Sequence, residues 1–185
     1  MTPPPAFIPC LGVPRRLVLM LAATAKLFSS PGPQVAPDVA LAGYAVVLRV
    51  DVARGDDLKG DGSVAQPLAT LPRALEAAGR PGPSQRVAIL VAEGRYTQPT
   101  LALKPRVDLY GGFSPGFARR DIYQHPAVLD GVEAGRIALG ADDVRFDGFH
   151  LRNGRVRGKG AALFCDGVSP LVTNCVFTNN RTLIP

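Results

Sequence analysis

Tryptophan is absent from this chain, and aromatic residues make up only 6% of it. That argues against a base-stacking surface or an aromatic platform for sugars. Charge is sparse as well, at 19%, and no apolar run reaches the roughly 20 residues that span a bilayer. Three cysteines are too few for a disulfide framework. What is plentiful is 46% hydrophobic residues, enough for a core and against wholesale disorder. Gly (20) and Pro (18) make about a fifth of 185 residues, which a long helical bundle would not tolerate. The balance describes a turn-rich chain of short strands, one domain long.

The formal charge is +6, but its bearers are scattered. The densest run, Arg152, Arg155, Arg157 and Lys159, is interleaved with glycine and carries no aromatic partner. It reads as a solvated loop, and no nucleic-acid partner is expected. Residues 1–25 hold no acidic residue: Arg15-Arg16 precede an apolar stretch over 17–25 that ends in small residues. This reads as a signal peptide cleaved after Ala25, with export to the periplasm, cell surface or medium, and a remaining charge of +4 once both arginines leave. A disordered leader, or a true start at Met20, is the alternative. Cys10 falls in this leader. Cys165 and Cys175 have no histidine at ligand spacing and read as buried thiols.

Residues 26–45, with Pro31, Pro33 and Pro37, read as a linker, and 46–185 as the folded domain. The run YAVVLRVDV (44–52) alternates like a strand. A loop dense in turn formers follows, then a helix at about 66–79. Thr70 is its cap, Pro72 lies in its first turn, Leu71, Leu75 and Ala78 share a face, and Gly79 stops it. Strand patterns then recur over 86–91, 106–110, 127–129, 136–139, 144–151, 161–165 and 171–177, with no helix-length segment between them. Alternating βαβ units are thereby excluded.

The spacing of these patterns repeats. Phe149 and Cys175 are 26 positions apart, and Phe146–Val172 and Asn153–Asn179 keep the same offset. Ile89, Leu109 and Leu129 are 20 apart. Asp-Gly and Asn-Gly turns separate the repeats. Such a period describes a solenoid, whose coils stack about 4.8 Å apart and share one core. Asn153 and Asn179 are expected to stack as a hydrogen-bonded ladder. A β-sandwich of antiparallel hairpins is the competing architecture.

The segments GDDLKGDGSVAQPLATLPRALEAA, VAILVAEGRYT, LYGGF with RRD, and VLDG resemble the opening of bacterial right-handed parallel β-helix proteins. VRFDGFHLRNG and GAALFCDGVSPLVTNCVFTNN resemble the repeating rungs of that pectin-lyase-like superfamily. The resemblance covers about residues 49–180. It implies an all-β, right-handed parallel β-helix whose N-terminal end is capped by the short helix. It also implies an unmatched C-terminal edge, to be met by further rungs or by self-association.

Chemistry is harder to find. If Val107, Leu109, Phe146, Phe149 and Leu151 point inward, then Arg106, Asp108, Arg145, Asp147, His150 and Arg152 point outward. Asp147, His150 and Arg152 are the best candidate catalytic cluster. Asp56, Asp57 and Asp61 form an acidic loop with the oxygen ligands Ca²⁺ prefers, and are the candidate metal ligands. Asp142-Asp143 reads as a loop pair, Arg119-Arg120-Asp121 as an ion-paired loop, and His125 as a turn residue. The expected function is a non-catalytic, exported repeat protein binding carbohydrate or a cell-surface partner. The alternative is a Ca²⁺-dependent, pectate-lyase-like polysaccharide lyase.

Overall fold

A computed structural model describes residues 39–183. The expected leader and the linker over 26–38 lie outside the described residues. The first elements are β1 (Val46–Val50), α1 (Leu71–Ala77), β2 (Val87–Ala92), β3 (Gly94–Tyr96), β4 (Leu101–Ala102), β5 (Val107–Phe113) and β6 (Ala127–Asp130). There follow β7 (Ala138–Leu139), β8 (Arg145–Asp147), β9 (Phe149–Arg152), β10 (Arg155–Arg157), β11 (Leu163–Phe164), β12 (Leu171–Thr173), β13 (Val176–Thr178) and β14 (Arg181–Leu183). Among the described residues this is an all-β chain with one short helix.

Every pairing between these strands is parallel. The strands build four sheets, ordered β1-β2-β5-β8-β12, β3-β6-β9-β13, β4-β7-β11 and β10-β14. Neighbours in sequence such as β8 and β9 therefore belong to different sheets, and each strand pairs with one from a distant part of the chain. Antiparallel hairpins, and with them the sandwich, are ruled out for the described strands; a single antiparallel bridge links Phe113 and Arg120.

The register matches the expected offsets in two places and departs in a third. Ile89 lies beside Leu109, 20 positions on. Phe146 lies beside Val172 and His150 beside Val176, which is the 26-residue offset. Leu109 and Leu129, however, are not partners. Leu109 pairs with Phe146, while Leu129 pairs with Tyr96 and Leu151. The reason is the irregular stretch over 114–126, which carries the chain from the first sheet to the second and coincides with the 20-residue spacing by length alone.

Inward side chains from β1 to β9, with Leu163 of β11 and Val172 of β12 packed against them, make one core. It includes Val50, Ile89, Leu109, Leu129, Phe146, Phe149 and Leu151, all shielded from solvent. Phe146 and Phe149 stack with centroids 4.5 Å apart and ring planes 9° apart. Two expected strands, over 144–151 and 171–177, are each broken by a corner residue with positive φ, Gly148 (80°) and Asn174 (51°). The asparagine ladder forms as expected. Asn179 Nδ2 donates to Asn153 Oδ1 (2.6 Å), and Asn153 Nδ2 donates onward to Asp130 Oδ1 (3.0 Å).

Thr70 caps α1 by accepting from Arg73 N, and Leu71, Ala74 and Leu75 are buried. The chain before the helix closes the free edge of β1: Arg49 N donates to Gly62 O, Asp51 N to Leu68 O, and Leu68 N to Arg49 O. At the other limit of the sheets, β11, β12, β13 and β14 each have a strand on one side only. There Phe177, in register with buried Leu151, is 47% exposed.

Replacing Phe146 by Ala removes one member of the stacked pair at a site with no solvent access. The expected cost is about 3–5 kcal/mol, read as a lowered urea midpoint. Phe177→Ala, at the exposed end of the same interior, should cost less than half as much.

Candidate functional site on the outer sheet face

Strand alternation places Asp108, Tyr110, Arg145, Asp147 and Thr173 on the face of the first sheet opposite the core. This face was expected to be open to solvent, and around Asp108 and Asp147 it is not. Asp108 and Asp147 are 2% and 4% exposed. A second apolar cluster of Ala88, Leu90, Tyr110 and Phe113 lies here, covered by Val39, Leu41, Tyr44, Val47 and Phe117. The expected linker therefore ends before residue 39, because the segment 39–44 packs down on the sheet.

Two buried carboxylates organise the face, each held by an arginine from elsewhere in the chain. Arg86 clamps Asp108 through Nη2 (2.8 Å) and Nε (3.1 Å), and its Nη1 reaches Asp143 (2.6 Å). Asp108 also accepts from Arg145 N (2.7 Å) and from the Tyr44 hydroxyl (2.5 Å), which lies 2.7 Å from the Tyr110 hydroxyl. Arg120, itself 3% exposed at its side chain, donates to Asp147 Oδ1 (2.8 Å) and to Gly111 O (2.9 Å). Its guanidinium lies within 6 Å of the Tyr110 and Phe113 rings, a cation–π position. Asn174 Nδ2 adds a second hydrogen bond to Asp147 (2.9 Å). Glycine at 148 is required by this arrangement, since a Cβ there would lie 2.5 Å from the Arg120 guanidinium.

These contacts fix the protonation states. Burial, joined by Asp108 and Tyr110 alongside, pushes the Tyr44 phenol far above the usual tyrosine range. Burial would raise Asp147, but its bonds from Arg120 and Asn174 bring it below the ordinary carboxylate value. The Arg86 hydrogen bond lowers Asp143, and the Asp108 and Asp143 carboxylates hold Arg86 firmly protonated. None of these groups is poised to exchange a proton near neutrality.

Beside the network runs a groove of about 690 Å³, lined among others by Tyr44, Arg86, Asp143, Arg145, Ser169 and Asn174. Its three arginines and three aspartates balance in charge. Arg145 is its least committed cation, with a side chain 40% exposed and one long ion pair, 3.6 Å to Asp147.

The expected catalytic cluster does not assemble as one site. Asp147 lies on β8 and faces the groove, whereas His150 and Arg152 lie on β9 in another sheet and do not line it. The chain turns a corner at Gly148, so alternation does not carry across it. Arg152 serves Asp130 instead (2.8 Å), together with Arg95 (3.0 Å). The expected metal ligands are also otherwise engaged. Asp56 accepts from Leu58 N and Lys59 N, Asp61 from Ser63 N, and Asp57 from Ala69 N, Thr70 N and the Thr70 hydroxyl. Each folds its own turn or the helix start, and among the described residues no group of three or more acids, histidines or cysteines could hold a metal ion. His125 sits at a bend with Nδ1 on Glu93. Both cysteines were expected to be buried; Cys175 is half-buried and Cys165 is exposed.

Tyr44, Arg86 and Tyr110 are the members that sequence reasoning missed. Tyr44 stood at the end of a presumed linker, and nothing local links Arg86 to Asp108. The Arg119-Arg120-Asp121 run did signal an ion pair, and Arg120 makes it. Compared with known proteins, the chain matches no family model, no curated protein and no solved structure.

Arg120→Met should leave buried Asp147 with only the distant Arg145 guanidinium as counter-charge and lower stability by about 3–5 kcal/mol. Adding Asp147→Leu should restore much of the loss, which urea unfolding of the single and double variants would resolve. Acid should act on the same kind of contact at Asp130. Burial raises that carboxyl, but Asn153, Val132 N, Arg152 and Arg95 overcome it and hold it at about 2, against 3.8 ordinarily. The stability this contributes is complete above the ordinary value and is lost as pH falls toward 2. Asp130→Asn should flatten the dependence of the urea midpoint on pH in that window.

Proposed function

We propose that this chain is an exported, right-handed parallel β-helix protein whose outer groove binds carbohydrate or a cell-surface partner without acting on it chemically. The parallel registers and the coverage of the β1 edge by residues 62–68 and α1 support the architecture, with successive sheet layers as rungs of one solenoid. One observation carries the functional reading. Each carboxylate in the groove is paired and each tyrosine is held protonated or hydrogen-bonded, so the groove offers fixed donors and acceptors and no free acid or base. Alternating guanidinium, carboxylate and hydroxyl groups suit the alternating donors and acceptors of a polyol. The Ca²⁺-dependent lyase alternative calls for carboxylates free to take the cation and a basic residue free to remove a proton; Asp108, Asp143 and Asp147 are all engaged by arginine.

Titrating the protein with a panel of neutral and acidic polysaccharides tests this reading. At least one should bind, and Arg145→Ala should weaken it about tenfold, since one charge-assisted hydrogen bond is worth roughly that, while the urea midpoint stays close to the parent's. If no polymer binds, the reading fails. If Ca²⁺ and a uronate polymer yield unsaturated products, the lyase alternative replaces it.

A further inference from the structure

The guanidiniums near this face divide into two groups. Arg86, Arg120 and Arg145 each reach a carboxylate. Arg49 and Arg119 reach none among the described residues. Arg49 donates Nη1 to Val47 O (3.3 Å), and its Nε is shielded from solvent with no hydrogen-bond partner. Arg119 engages only through its backbone, N to Ser114 Oγ and O from Ser114 N. Both line one small pocket of about 210 Å³, together with Arg120, which is committed to Asp147; its walls include Leu41, Leu90, Phe113 and Phe117, and among the described residues no acidic side chain lines it.

Two uncommitted cations over an apolar wall, with no counter-charge among the described residues, make an electrostatically unfinished site. The ligand that completes it has one anionic head able to accept from guanidinium and an apolar body. Its size is limited, because the pocket falls below the roughly 300–1,000 Å³ of sites for drug-sized ligands. Phe113 and Phe117, with centroids 6.1 Å apart and planes tilted by 46°, give the body an aromatic wall. A carboxylate suits the planar fork of arginine, which binds it through paired hydrogen bonds. We propose that this pocket binds a small monocarboxylate with an aromatic or short aliphatic body, its carboxylate on Arg49 and Arg119 and its body against Phe113 and Phe117. The pocket adjoins the groove, with Val39 and Arg120 lining both, but Arg49, Arg119, Phe113 and Phe117 line the pocket alone.

Calorimetric titration of the full chain with sodium benzoate, and with neutral benzamide at matched ionic strength, decides the matter. Benzoate should bind, benzamide at least about tenfold more weakly, since the charged head supplies the stronger hydrogen bonds. Arg119→Gln should weaken benzoate about tenfold with no change in urea midpoint, because the Arg119 side chain holds nothing else in place. Equal affinity for benzoate and benzamide, or no heat from benzoate up to millimolar concentration, overturns the proposal. So does tighter benzoate binding by an Asp38→Asn variant, which would mean that the chain's own carboxylate just before Val39 already serves the two arginines.

Discussion

A buried carboxylate needs a cation delivered to it, and on this molecule that requirement decides where the irregular segments go. Asp108 and Asp147 stand on strands whose outer face would otherwise be uniformly apolar or exposed. Arg86 reaches the first from the neighbouring β2 layer, and Arg120 reaches the second from the stretch that leaves β5. Once Arg120 is inside, the chain over 114–120 must lie across the sheet, and Phe113 and Phe117 close over the apolar cluster with it. Such pairs contribute little net stability relative to an apolar replacement, but an unpaired charge left behind is costly. They therefore select one placement of the covering segments over others.

Strand alternation and repeat spacing made the interior legible from sequence. Phe146, Phe149, Leu151, Ile89 and Leu109 all point where their period places them, and the Asn153–Asn179 ladder follows from the same offset. The helix start at Thr70 was legible because capping is local. What escaped were strands of two or three residues, such as β4 and β10, too short to show a period. The outer face escaped for a different reason. Alternation tells which side of a sheet a residue takes, not whether another segment covers that side, so Asp108 and Asp147 read as exposed acids when they are enclosed ones. The corner at Gly148 likewise divided Asp147 from His150 and Arg152, although only a few positions separate them.

The same pairing that organises the outer face also limits its chemistry. A carboxylate already sharing two or three hydrogen bonds with arginine, asparagine and backbone is a poor proton carrier and a poor metal ligand, whatever its neighbours in sequence. On the proposed reading the groove acts as a template of fixed polarity. The small pocket beside it differs in kind, since Arg49 and Arg119 there have no carboxylate partner among the described residues.

The anchoring of Tyr44 has a bearing on how much of the N-terminal chain is dispensable. Its ring stands edge-on to Tyr110, its hydroxyl completes the shell of Asp108, and Val39 and Leu41 lie on the same apolar patch. Proteolytic trimming that reached past Val39 would strip the lid from an aromatic surface and leave a strand face suited to clumping. The six residues from Val39 to Tyr44 are therefore as much a part of the domain as any of its strands.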